Sequence, residues 1–157
     1  MKQLVFLGLT LLTQLAQLSA QTPSRQQAFN LSGKHIAIEG YDPVAYFTQG
    51  KAVEGKATLA GTKDGITYHF SSSQNKEAFL AQPATYEPQY GGWCAYAMGA
   101  TGEKVPVDPE TFKIVNGKLF LFYNKFFNNT LKSWNKDEKN LNAKADRNWA
   151  KLFNKQS

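Results

Sequence analysis

Thr111-Phe112-Lys113-Ile114-Val115 and Lys118-Leu119-Phe120-Leu121-Phe122-Tyr123 flank the dipeptide Asn116-Gly117, and no other segment of the chain has less conformational choice. A two-residue connection between runs of β-formers needs positive φ at both central residues, which asparagine and glycine adopt most readily. The spacing predicts an antiparallel hairpin. Thr58-Leu59-Ala60-Gly61-Thr62 and Ile66-Thr67-Tyr68-His69-Phe70 repeat the pattern around Lys63-Asp64-Gly65 and predict a second one. The chain has a single cysteine, Cys94, so no internal disulfide can staple these hairpins together. Packing must hold them, and a chain with 13% aromatic residues and well over a hundred positions can build the necessary core.

Helices are expected around the hairpins. Asp42 and Pro43 suit the N-cap and first position of a brief helical turn ending near Gly50, after a short strand at His35-Ile36-Ala37-Ile38. The serines at 71 to 73 can cap a helix carrying Glu77, Phe79 and Leu80, which Pro83 stops; Asp108-Pro109 repeats the cap pattern. Phe127, Leu131 and Trp134, then Leu141, Ala145, Trp149 and Leu152, recur at helical spacing and predict two amphipathic C-terminal helices clamping one sheet. The expected class is α+β: a small antiparallel sheet of hairpins with flanking helices.

At the N-terminus, Lys2 precedes an apolar run from Leu4 to about Leu18, and Ser19-Ala20 supply small residues before Gln21. Thr10, Thr13, Gln14 and Gln17 interrupt the run, which falls short of the ~20 apolar residues of a membrane span. Residues 1–20 read as a cleavable signal peptide, 21–31 as a polar, disordered leader containing Pro23, and 32–155 as one domain. The expected location is therefore periplasmic or secreted. The net charge of +6 falls to +5 without Lys2, and residues 125–155 hold seven lysines and Arg147 against Asp137, Glu138 and Asp146. The basic residues are spread singly, as on a solvated helix face, with weak contact to an anionic surface as the alternative. No nucleic-acid partner is expected.

Gly40-Tyr41-Asp42-Pro43-Val44-Ala45-Tyr46-Phe47, Tyr68-His69-Phe70-Ser71-Ser72, Phe79 with Pro83 and Tyr86, and Tyr90-Gly91-Gly92-Trp93-Cys94-Ala95 occur in that order. This series resembles the YHS domain family, and specifically its exported branch, over nearly all of the chain after residue 31. The resemblance implies a YHS-type fold and two kinds of chemistry. Short YHS domains accompany heavy-metal transporters and carry cysteines in their Asp-Pro-Val-Cys and Phe-Cys-Ser positions. Here Ala45 and Ser71 stand at those places, which removes a thiolate cluster of the zinc-finger sort. The donors that remain are Cys94, His69 and Met98, with His35, Asp42 and Asp108; the first three form a soft set that suits copper or zinc.

The exported branch is also described as including members with selenocysteine at the position of Cys94, which implies a functional thiol. Gly91-Gly92 permits a tight turn that would place Cys94 in the first turn of a helix, where unpaired amides favour thiolate, with His69 as base or orienting partner. A lone cysteine would need an external thiol to complete a redox cycle. Each of these residues also has a structural reading: Cys94 and Met98 as packing, His69 as a half-exposed strand residue or a core histidine bonded to backbone, Asp42 and Asp108 as caps. A papain-like hydrolase is unsupported because both histidines precede Cys94. Two functions remain open: a binding protein for a small ligand or soft metal near Cys94, and a one-cysteine thiol redox protein or enzyme.

Overall fold

Asn116 and Gly117 have φ of 51° and 71° and join β5 (Asp108–Val115) to β6 (Lys118–Phe122), with Val115 paired to Lys118 across the turn. Asp64 and Gly65, at 49° and 78°, do the same for β3 (Lys56–Lys63) and β4 (Ile66–Phe70). Both turns have the geometry their dipeptides demand. The computed structural model describes residues 24–154; the expected signal peptide and residues 21–23 of the expected leader lie outside that range.

The order of elements before the first hairpin is α1 (Arg25–Ala28), β1 (Leu31–Ser32), β2 (Ile36–Ala37), a 3-10 turn at Ile38–Gly40 and α2 (Ala45–Thr48). After it come α3 (Ser73–Ala81), α4 (Pro83–Tyr86), a 3-10 turn at Gln89–Gly92 and α5 (Ala95–Ala100). The second hairpin is followed by β7 (Asn124–Lys125), β8 (Asn128–Asn129), α6 (Thr130–Trp134) and α7 (Glu138–Asn154). The domain is α+β, as expected. Its strands form one four-stranded sheet in the order β1-β2-β4-β3 and two separate two-stranded hairpins, β5-β6 and β7-β8.

Several expectations require correction. The β2–β4 pairing is parallel, through Ile36 and Thr67, so the larger sheet is mixed. Ser24 and Gln27 form a reciprocal capping box that starts α1, so the described part of the expected leader is folded. Asp108-Pro109 opens a strand rather than a helix; the Asp108 carboxylate accepts from Glu110 N (3.0 Å) and Thr111 Oγ1 (2.8 Å), and a register shift follows before Phe112. Phe127 lies in the β7–β8 turn, not on a helix, and only Leu131 and Trp134 of its series are helical.

Strand β6 is buried on both faces from Leu119 to Phe122 and divides the interior. Its side chains alternate. Leu119 and Leu121 enter a core with Val44, Tyr46, Ile66, Tyr68, Phe70, Phe79 and Cys94, whereas Phe120 and Phe122 enter a second core with Tyr90, Met98, Trp134, Leu141 and Ala145. Gly99 lets α5 meet α7: a Cβ there would sit 2.5 Å from the Leu141 carbonyl oxygen.

Within the first core, Asp42 is fully buried and its carboxylate gathers three segments. Oδ1 accepts from the amides of Val44 (2.9 Å) and Ala45 (3.4 Å) at the start of α2, as an N-cap should. Oδ2 accepts from Ser71 N (2.8 Å), Ser71 Oγ (2.6 Å) and Asn75 Nδ2 (2.7 Å), tying in the end of β4 and the start of α3. Five donors replace the water a buried carboxylate would otherwise need.

Three buried tyrosines complete the interior. Tyr46 donates to the Pro109 carbonyl (2.8 Å), Tyr68 to Glu87 (2.8 Å), and Tyr90 to Asp146 (2.9 Å). Burial raises all three phenol pKa values above the ordinary 10.0, with the Glu87 carboxylate adding to the effect at Tyr68 and the Asp146 hydrogen bond at Tyr90. The folded state holds these phenols neutral. Stability is therefore full below pH 10.0 and falls as pH rises past that value, because the unfolded chain then releases protons the folded one keeps.

Absorbance titration of phenolate should show these three tyrosines silent past pH 10.0 and ionising only as the fold is lost. Smooth titration of all the tyrosines near pH 10 in a still-folded chain would contradict this. Asp42→Asn replaces an acceptor with a donor facing other donors and should lower unfolding free energy by about 3 kcal/mol in urea denaturation. A loss under about 1 kcal/mol would show that the carboxylate is not the junction described.

Candidate functional site

The segment before Cys94 is a tight turn built from three consecutive left-handed residues, Tyr90, Gly91 and Gly92, with φ of 55°, 61° and 83°. Gly91 has a second constraint, since a Cβ there would lie 2.9 Å from Trp149 and 3.0 Å from Phe29. The N-terminal segment clamps this turn. Asn30 donates from its amide to Gly91 O (2.9 Å) and from Nδ2 to Gly92 O (3.1 Å), and Trp93 Nε1 donates to Ala28 O (2.7 Å). The Ser24-x-x-Gln27 spacing is the sequence signal that could have identified this clamp.

Cys94 follows at the N-cap of α5, fully buried. Its amide donates to Val105 O (2.9 Å) and its carbonyl accepts from Met98 N (3.0 Å). Its side chain makes no cap hydrogen bond to α5, so the expected stabilisation by that helix's amides is absent. The sulfur instead accepts from Tyr123 N (3.4 Å), just past the end of β6, and lies 3.4 Å from Thr130 Oγ1. The direction of the second contact follows from proton count. Thr130 has one hydroxyl proton and gives it to Tyr123 O at 2.9 Å, leaving only lone pairs toward the sulfur. In this arrangement the Cys94 S–H is the donor to Thr130, and both polar contacts of the sulfur are used.

Above the sulfur lies a cleft of about 350 Å³. Tyr96, Ala97, Val105 and Tyr123 give it apolar walls, Asn128, Thr130, Thr101 and Glu103 a polar border, and Cys94 lies at its floor. Its size is at the lower end of the range for small-molecule sites. Tyr123 and Thr130 had no sequence signal, because they reach Cys94 from 29 and 36 residues away.

The other expected site residues lie elsewhere. Ile66, Tyr68 and Phe70 point into the core that contains Cys94, so the two-residue period of β4 turns His69 to the opposite face. There His69 packs against Gly40 and Gly55, and the proposed Cys94–His69 partnership does not form. Met98, one turn after Cys94, is buried in the second core with Trp134 and Leu141. His35 is exposed in a turn, at φ 59°. Asp42 and Asp108 are occupied by the hydrogen bonds described above. A copper or zinc site made from Cys94, His69 and Met98 thus lacks its imidazole, and among the described residues no three His, Cys, Asp or Glu side chains converge as a metal site.

Ala45 and Ser71, where the metal-associated YHS pattern has cysteines, do converge. The Ala45 amide and the Ser71 hydroxyl both donate to Asp42.

Thr130→Val removes the acceptor of the thiol proton and should cost about 1–3 kcal/mol in denaturant unfolding, whereas Thr130→Ser should cost well under half of that. Equal stability of the Val and Ser variants would contradict the assigned hydrogen bonds. Comparison of the chain with family models, curated proteins and solved structures returned no match.

Proposed function

We propose that the chain is an exported, YHS-type binding domain that takes a small, partly apolar ligand in the cleft over Cys94. The observation that carries this reading is an open cleft of about 350 Å³ whose floor is a thiol already satisfied by Tyr123 and Thr130. A satisfied thiol forms a wall, and the apolar rings of Tyr96 and Tyr123 supply the area a small molecule would cover. Dispersal of His69, Met98 and the carboxylates favours an organic ligand over copper or zinc. The order of the motifs at 40–47, 68–72 and 90–95 supports the YHS-type assignment. Lys2, the apolar run to Leu18 and Ser19-Ala20 support export to the periplasm or the exterior.

The experiment is a titration with indole and phenol as probes, followed by amide NMR shifts. Shifts concentrated at Val105, Tyr123 and Thr130, and abolished by the cleft-filling Ala97→Trp, are expected. Absence of saturable shifts with either probe, or shifts elsewhere that survive Ala97→Trp, would overturn the reading.

A second reading rests on one specific feature. Rotation of the Thr130 hydroxyl from Tyr123 O to the sulfur would give a Cys94 thiolate two donors, Thr130 O–H and Tyr123 N–H. Such a thiolate could attack one sulfur of an external disulfide, expelling the other as a thiolate and forming a mixed disulfide that a second external thiol resolves. Iodoacetamide labelling across pH separates the two. Modification of the folded chain at mildly acidic pH faster than free cysteine would favour thiol exchange; labelling only after denaturation is the outcome expected for the binding domain.

A further inference from the structure

The described residues contain three two-residue hairpin turns, and they differ in one respect. Asp64-Gly65 and Asn116-Gly117 use the residues that accept positive φ, but the β7–β8 turn places Phe126 and Phe127 there, at φ of 52° and 62°. Phenylalanine is among the residues least suited to this backbone region, so the turn is strained relative to its two neighbours. Folding gains nothing in return from the rings. Phe126 and Phe127 are 89% and 110% exposed, whereas the other large hydrophobic residues whose burial is described are buried or half-buried apart from Leu80 at 44%. The tip is nonetheless held firmly. Asn124 pairs with Asn129 and Lys125 with Asn128, Asn124 Nδ2 donates to Thr111 Oγ1 (3.0 Å), and Thr130 N donates to Tyr123 O (3.0 Å).

We propose that the Phe126-Phe127 tip is an anchor that inserts into the interface of an anionic lipid bilayer. Two aromatic rings on a narrow turn offer roughly 300–500 Å². A stable protein interface needs about 800 Å² on each side, so the tip alone is too small for a partner or a second copy. Rings of this size do suit the boundary between headgroups and acyl chains. Charge supports the choice. Residues 123–136 contain Lys125, Lys132 and Lys136 and no Asp or Glu; Lys125, next to the rings in sequence, and Lys132, on α6, are both exposed. Lysines around inserted aromatics complement an anionic headgroup layer. The inference stands apart from the ligand reading, although Asn128 and Thr130 run from the tip into the wall of the Cys94 cleft and would bring that cleft to the surface.

The test is flotation with vesicles of equimolar phosphatidylglycerol and phosphatidylcholine, compared with phosphatidylcholine alone. A chain beginning at Gln21 keeps every described contact and removes the apolar run at 4–18, which would bind lipid by itself. The wild type should float with the anionic vesicles only, and lose that binding at about 0.5 M salt. Phe126→Asn with Phe127→Gly should lower vesicle partition at least about tenfold while raising the melting temperature, because it installs the residues the turn prefers. Phe127→Ser, changing one fully exposed side chain, provides a second variant with the same expected direction. Absence of wild-type binding would overturn the proposal. So would equal binding by folded variants, which would assign the effect to the basic α7, or a lipid-free dimer in sedimentation equilibrium that dissolves on removing the rings.

Discussion

Burial of both faces of β6 is the constraint on which the rest of this structure depends. A strand with Leu119 and Leu121 on one face and Phe120 and Phe122 on the other cannot lie at a solvated edge; it must have a core on each side. β2, α2, β4 and α3 supply most of one core, and the Gln89–Gly92 turn, α5, α6 and α7 supply most of the other. Register then becomes functional, because the residue after β6 is Tyr123, whose amide meets Cys94 and whose carbonyl takes the hydroxyl and amide of Thr130. A slip of one residue at Asn116-Gly117 would exchange the two faces of β6 and displace Tyr123 from the sulfur.

A second junction, at Asp42, organises the elements farther from the cleft. One carboxylate buried among five donors, with α2, β4 and α3 converging on it, is a polar connection in an otherwise apolar core. Such a connection is directional, so it fixes the relative placement of segments that apolar packing alone would leave adjustable.

The features legible in the sequence were those whose cause is local. Asp64-Gly65 and Asn116-Gly117 announce their turns because positive φ is a property of the residue itself, and Ser72 with Pro83 brackets α3 for the same kind of reason. Cys94 was recognisable as the centre of interest, but its partners were not, since Tyr123 and Thr130 are brought to it by β6 and the β7–β8 hairpin. Two misreadings had signals against them. The alternation Ile66, Tyr68, Phe70 already placed His69 on the other face of its strand, and the Ser24-x-x-Gln27 capping box already argued against a disordered leader. Asp108-Pro109 was ambiguous by nature, because an aspartate that accepts an amide two residues ahead serves a strand start as well as a helix start. Phe127 fell at helical spacing from Leu131 by coincidence across a turn.

The central claim is that Cys94 is a neutral thiol donating to Thr130 at the floor of an accessible cleft. Infrared difference spectroscopy between the wild type and Cys94→Ser isolates the S–H stretch of this one residue. The account predicts a single narrow band, lowered in frequency as for a donating thiol and moved upward by Thr130→Val. A band at the position of an unbonded thiol, or no S–H band at neutral pH, would contradict it.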